Sequence, residues 1–141
     1  MNRFVAAAAL AAFVCISGLP SQGAAAEPKP TGTVDLSSSV PELNQLNGVG
    51  GTTVLLSQKE WERLAAAWGI KDPAKVDFSK ELLLVGTWRG TGFKFLNDVK
   101  DGDLKTELVG DKDIRPGFRF RVVSLKRDGI KSFNGKALPK E

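Results

Sequence analysis

The chain has 141 residues, and its 20 Lys and Arg residues against 16 Asp and Glu residues give a formal net charge of +4. This length suits one domain with a modest core, and so small an excess of basic residues is not the composition of a nucleic-acid-binding domain. There is no histidine, and the single cysteine is Cys15. The composition therefore excludes the usual zinc, copper and haem ligand sets, histidine-based nucleophilic catalysis and a disulfide framework. We predict no cofactor and no metal site.

Residues 1–26 have the pattern of a secretory signal peptide. Arg3 supplies a positive start, residues 4–16 form an uncharged apolar run, and three consecutive alanines predict cleavage before Glu27. The apolar run is shorter than the roughly 20 residues that a membrane-spanning helix needs. The alternative is an uncleaved anchor or a buried N-terminal helix. We predict export to the periplasm or the extracellular space, with no stable membrane span after cleavage.

Residues 27–51 combine prolines, glycines and polar residues with few large apolar side chains. This composition is typical of a solvated linker, although Val40 and Leu43 are apolar enough to add a little structure. We predict a flexible linker over residues 27–51 and a small folded domain over residues 52–141. The sequence leaves open whether the linker takes part in binding.

A helix is predicted to begin at Ser57, which suits an N-cap and has Glu60 three residues later to complete a capping box. Gly69 is placed to end it in the left-handed conformation. Apolar residues spaced to share one helix face lie between these ends: Trp61, Leu64, Ala65 and Trp68. We expect this apolar stripe to pack in the core rather than to form a ligand platform.

Two later stretches predict strands. Leu82–Val85 is continuously apolar, which is typical of a strand buried on both faces. The turn 89–92 follows, and its two glycines allow the chain to reverse. In the next strand Phe93, Phe95 and Val99 share one face, with charged residues on the other.

The dipeptide 101–102 is Asp-Gly, which predicts a hairpin with a type I′ turn. A two-residue loop would place Lys100 opposite Asp103 and Val99 opposite Leu104, which gives one pair of opposite charges and one apolar pair. This register follows from the turn alone.

The last part of the chain predicts a further strand over residues 118–127, in which phenylalanines and arginines alternate. A second Asp-Gly signal at 128–129 predicts a hairpin into residues 130–133, with a two-residue or a longer loop. Residues 134–141 read as an exposed tail. The predicted fold class is therefore α+β, with a small antiparallel sheet of five to six strands and one packed amphipathic helix.

The turn 89–92 is the first candidate for function because Arg89 lies between a tryptophan and two glycines. A strand corner explains the glycines and the aromatic residues but not the arginine, and an exposed arginine beside an aromatic residue is suited to binding. The alternation of residues 118–121 puts arginines on the face opposite the phenylalanines, so bases could not stack on the phenylalanines and a positive face for an acidic partner remains. The predicted binding residues are Arg89, Thr91, Arg115, Arg119 and Arg121.

Two pairs of acids lie in predicted turns, Asp101 with Asp103 and Asp111 with Asp113. Paired carboxylates can hydrolyse a glycosidic bond. Acids are also frequent in turns because their side chains accept hydrogen bonds from nearby backbone N–H groups. A small carboxylate-dependent hydrolase is thus an alternative function, and a purely structural envelope protein is a third.

The order of features over residues 55–126 resembles the C-terminal domain of the accessory subunit of bacterial exported protease complexes. It runs from a capped helix with Glu60-Trp61, through "VDFSK" and an apolar strand, to a glycine turn and a charged hairpin. The family's turn is of the type Thr-Gly-Gly-Tyr, whereas this chain has Thr91-Gly92-Phe93, so any role of the tyrosine hydroxyl is lost. The resemblance implies a non-catalytic module that binds another envelope or secreted protein, and it implies no catalytic residue.

Overall fold

A computed structural model describes residues 26–46 and 50–139. The predicted signal peptide therefore lies outside the described residues except for Ala26. Within the two described ranges, no helix is both long enough and apolar enough to cross a membrane.

One α-helix, eight strands and a short 3₁₀ helix make up the described chain. The elements are β1 (Pro30–Val40), the 3₁₀ helix (Leu43–Leu46), β2 (Thr52–Leu55), α1 (Gln58–Ala67), β3 (Glu81–Trp88), β4 (Phe93–Lys100), β5 (Asp103–Gly110), β6 (Phe118–Lys126), β7 (Ser132–Phe133) and β8 (Lys136–Ala137).

The strands form two sheets rather than one. The first sheet has the order β1-β6-β3-β2 and is antiparallel throughout, and the second has the order β4-β5-β7-β8, with β5 and β7 parallel. The predicted α+β class is confirmed, but the single sheet of five to six strands is wrong. The reason lies in β3, which is apolar on both faces and needs a covering layer on each.

The first sheet lies between α1 and the second sheet. Leu83 and Val85 pack with α1, while Leu82 and Leu84 pack with the second sheet, and all four are fully buried. The prediction of a strand buried on both faces is therefore confirmed. The buried residues therefore form two core clusters, one on each face of the first sheet. The central strands β3 and β6 contribute side chains to both clusters.

Both predicted ends of α1 are confirmed. Ser57 is the N-cap, with its hydroxyl accepting from the N–H of Glu60 at 3.3 Å, and the Glu60 carboxylate accepts from the N–H of Leu56 at 3.1 Å. Gly69 has a φ of 70°, which a residue without Cβ adopts freely. The N–H of Ile70 donates to the carbonyl of Ala65 at 2.8 Å, which is the bond of a Schellman motif that spans the larger number of residues.

The apolar stripe of α1 is buried in the core, as predicted. Both tryptophans also satisfy their indole N–H groups, which donate to backbone carbonyls: Trp61 to Ala74 at 3.1 Å and Trp68 to Gln45 at 2.7 Å. These bonds tie the helix to the segments on either side of it. The tryptophans are core residues and not a ligand platform.

The β4–β5 hairpin has the predicted turn and register. Asp101 and Gly102 have φ values of 54° and 84°, as a type I′ turn requires. Lys100 pairs with Asp103, and the apolar pair follows it in the ladder.

The second predicted hairpin is wrong. β6 ends at Lys126, and the turn at residues 127–130 carries the chain from the first sheet to the second, where β7 runs parallel to β5. The predicted exposed tail is also partly ordered, because a turn at Asn134 joins β7 to β8. The local Asp-Gly signal gives a reversal correctly, but it does not say which strand the chain joins next.

The predicted flexible linker contains β1, which pairs antiparallel with β6 along the edge of the first sheet. Only Val34 and Val40 of this strand are buried. A strand at a sheet edge with most side chains in solvent has the same polar composition as a linker, which explains the error.

A buried serine in β6 holds β1 at an irregularity in its register. The shift lies between Pro30 and Asp35. There, the hydroxyl of Ser124 accepts from the N–H of Val34 at 2.9 Å and from the hydroxyl of Thr31 at 2.6 Å. These bonds satisfy polar groups that the ladder leaves unpaired.

Candidate functional site

A cleft of about 540 Å³ opens where the turn 89–92 meets the loop 111–117. We call it the turn cleft. The apolar side chains that line it are Leu46, Trp88, Leu108, Ile114 and Phe118. The charged residues on it are Arg89, Asp111, Lys112 and Asp113.

Asp111 holds the turn in place. Its two carboxylate oxygens accept from the N–H groups of Thr91 and Gly92, each at 2.7 Å. Its backbone carbonyl accepts from the indole N–H of Trp88 at 3.0 Å, and its own N–H donates to Gly92 at 3.2 Å. Adjacent N–H groups in a glycine turn can bind an anion from solution. Here the carboxylate of Asp111 already occupies them.

Gly90 is required by the same contacts. A Cβ at this position would overlap the side chain of Asp111 and lie 2.5 Å from the indole nitrogen of Trp88. Gly90 therefore allows the close approach of a residue from another strand end, whereas a Cβ at Gly92 would lie 4.0 Å from Asp111 and meet no overlap. The strand corner accounts for Gly90.

Three of the predicted binding residues meet at the turn. The N–H of Arg115 donates to the carbonyl of Arg89 at 2.9 Å, and the guanidinium Nε of Arg115 lies 3.3 Å from the hydroxyl of Thr91. Arg115 also forms an ion pair with Asp113 at 3.5 Å. The side chain of Arg89 is exposed and takes part in no ion pair within the described ranges.

The other two predicted residues lie on the face of β6 opposite the phenylalanines, as the alternation predicts. Arg119 pairs across the ladder with Trp88, and its guanidinium donates to the carbonyl of Pro116 at 3.1 Å. Arg121 forms an ion pair with Asp35 of β1 at 3.3 Å. Neither of them lines the turn cleft.

Ile114 is the residue of this site that the sequence analysis missed. It is 75% exposed, which is the highest value among the exposed large hydrophobic residues of the described ranges. The available signal was its setting, a single aliphatic residue among charged ones in the loop 111–115. An isolated exposed aliphatic residue is common, so only its position on a cleft makes it notable.

Two of the four candidate catalytic acids, Asp103 and Asp111, accept hydrogen bonds that hold turns in place. Asp103 accepts from the Ser132 hydroxyl at 2.5 Å and from the Gly135 N–H at 3.0 Å, and these bonds hold the pKa of Asp103 below its usual value, the Ser132 bond most. A carboxyl that acts as general acid needs a raised pKa instead. Within residues 26–46 and 50–139, no cluster of three or more acidic residues is placed to hold a metal ion.

Replacing Asp111 with alanine should release the turn. We expect the amide protons of Thr91 and Gly92 to exchange with solvent at least about tenfold faster, since each loses a charge-assisted hydrogen bond. Hydrogen exchange followed by NMR measures this residue by residue. Asp113→Ala is the matched control because Asp113 lies in the same loop and makes only a long ion pair with Arg115. Equal exchange rates in the two variants would contradict the assignment.

Comparison of the chain with protein-family models, with curated proteins and with solved structures found no match.

Proposed function

We propose that this chain is a non-catalytic, exported binding module of the cell envelope that holds a partner protein at the turn cleft. The observation that carries the proposal is the exposed side chain of Ile114 on an apolar cleft. Apolar surface of this kind with a polar rim is typical of a contact site. Export is supported by the pattern of residues 1–26, and an accessory role by the family resemblance of residues 55–126.

The charges around the cleft favour a partner with an acidic rim. Arg89 and Lys112 lie on it and are exposed. Of the two acids there, Asp111 is bound to the turn and Asp113 is paired with Arg115. Arg89 and Lys112 are therefore the charged side chains on the cleft that remain available to contact a partner. Arginine is enriched among the residues that contribute most to binding energy.

Capture of the partner tests the proposal. The full chain, tagged at its C-terminus, would be crosslinked in the cells that produce it and purified beside an Ile114→Ser variant. We expect Ile114→Ser to lower recovery of a specific partner by about tenfold, the loss caused by removing one central apolar contact.

The matched control is Leu96→Ser, because Leu96 is also an exposed aliphatic residue, 47% exposed on β4. Arg89→Ala should likewise weaken capture, and Arg63→Ala on the exposed face of α1 should not. If Ile114→Ser and Leu96→Ser recover the same protein equally well, the turn cleft is not the binding site. If neither the unaltered chain nor any variant recovers a partner, the binding function itself is wrong.

A further inference from the structure

The second sheet has an open edge at β4. The N–H and carbonyl of Val99 bond to Ala26 at 2.9 and 3.1 Å, so they point away from β5. Backbone direction alternates along an antiparallel strand, and therefore Phe93, Phe95 and Asn97 also direct their N–H and carbonyl groups outward. Within the described ranges, none of these outward groups has a hydrogen-bond partner.

The chain itself begins to pair with this edge and then stops. Ala26 forms an antiparallel bridge with Val99. Continuing that pairing would place Pro28 opposite Asn97, and proline has no N–H to donate. The chain instead leaves the edge and enters β1 at Pro30. The edge therefore accepts an antiparallel strand, and its length from Phe93 to Asn97 is left open. The predicted cleavage before Glu27 would remove Ala26 and expose the N–H and carbonyl of Val99 as well.

A groove of about 520 Å³ lies between this open edge and the first sheet. We call it the edge groove. One wall is the chain's own segment Glu27–Pro30, and the others are Phe95 and Asn97 on β4 and Arg121, Val123 and Leu125 on β6. An added strand would lie beside this part of β6, where Val123 and Leu125 are already buried in the cluster shared with the second sheet and Arg121 is partly exposed.

The charge beneath the edge is positive. Arg119 and Arg121 lie on the face of β6 that adjoins the groove, since they alternate with the phenylalanines that face α1. Asp35 is paired with Arg121, and its neighbours on the same face of β1 are serines. Glu27 and Lys29 also line the groove, so three basic residues stand against two acids and leave one net positive charge, which attracts carboxylates.

We propose that the β4 edge is a second binding surface, which takes an extended acidic segment of a partner protein as an added antiparallel strand. Main-chain hydrogen bonds to Phe93, Phe95 and Asn97 supply the binding. Residues paired with one strand position share its face, so side chains opposite the two phenylalanines lie over the arginines of β6 and favour carboxylates. The side chain opposite Asn97 lies toward Val123 and favours an apolar residue. This surface does not depend on the turn cleft.

A library of displayed seven-residue peptides, panned against the full chain, tests the proposal. We expect the selected peptides to carry an apolar residue followed by acidic residues two and four positions later, and to bind Asn97→Pro about tenfold more weakly than Asn97→Ala, the effect of one lost hydrogen bond. Both variants lose the 2.9 Å bond between the side chains of Asn97 and Thr106. Their difference therefore isolates the outward N–H, which β5 does not use and whose replacement a strand edge tolerates.

A second measurement needs no variant. In the unaltered chain, the amide protons of Phe95 and Asn97 should exchange rapidly, and a selected peptide should slow them. Selected peptides that leave both amides unchanged, or that bind both Asn97 variants equally, would overturn the proposal. Slow exchange of both amides in the free chain, together with a dimeric mass in solution, would also overturn it and assign the edge to a second copy.

The same peptides separate this inference from the proposed function. Ile114→Ser should bind them as tightly as the unaltered chain, because Ile114 lies on the turn cleft and not on the edge groove. Loss of the β4 peptides alone would leave the turn cleft proposal intact.

Discussion

Replacing Trp61 with alanine is expected to lower the free energy of unfolding by about 3–5 kcal/mol, the range found when a large buried aromatic side chain is truncated. Trp61 is fully buried in the cluster between α1 and the first sheet, and its indole N–H bonds to the carbonyl of Ala74. The variant loses apolar contacts and leaves a carbonyl without its partner. Because small domains are stable by only about 5–15 kcal/mol, this loss removes a large fraction of the free energy of unfolding.

Denaturant unfolding followed by far-ultraviolet circular dichroism measures the effect. Arg63→Ala is the control on the same helix, since Arg63 is exposed and its loss should change stability by no more than about 0.5 kcal/mol. A similar small change in both variants would mean that α1 does not cover the first sheet as described.

Features set by a few neighbouring residues could be predicted from the sequence. The two ends of α1 depend on Ser57 and Gly69, each acting on residues within five positions of itself. The β4–β5 register depends on the dipeptide 101–102, whose backbone angles admit one way of pairing the strands that flank it. The double burial of β3 could also be predicted, because an unbroken apolar run has no solvent face.

Features set by distant partners could not be predicted. β1 is recognised as a strand only when β6 lies beside it, since its own residues are mostly polar. The division into two sheets depends on where the chain goes after Lys126, and the turn that follows allows either a hairpin or a crossing. A local signal limits the geometry of a turn without choosing the strand that comes next.

The candidate site divides in the same way. The turn 89–92 could be recognised from its glycines and Arg89, and alternation placed Arg119 opposite the phenylalanines. The role of Asp111 could not be predicted, because its partners Thr91 and Gly92 lie 20 and 19 positions away in the sequence. An acid that follows a predicted strand has many possible partners, and only the fold selects among them.

The replacement of Gly117 with alanine should show that β1 belongs to the folded domain. Gly117 has a φ of 69°, and a Cβ there would overlap the carbonyl oxygen of Val40 and lie 2.7 Å from the backbone of Pro41. Backbone atoms of a paired strand cannot give way as a flexible side chain can. We expect the free energy of unfolding to fall by about 3 kcal/mol, the sum of the left-handed strain and the overlap.

Gly129→Ala is the matched control for this prediction. Gly129 has a φ of 78°, but nothing lies within 4 Å of the position where its Cβ would be, so alanine there should cost only about 1–2 kcal/mol of left-handed strain. Denaturant unfolding of both variants gives the difference between them, which measures contact with the last residue of β1 and with Pro41, which follows it. A difference near zero would mean that the end of β1 does not pack on Gly117 and that residues 27–51 behave as the linker their composition predicts. A clear excess for Gly117→Ala would make β1 part of the cooperative unit, because only a strand held in place can resist the added methyl group.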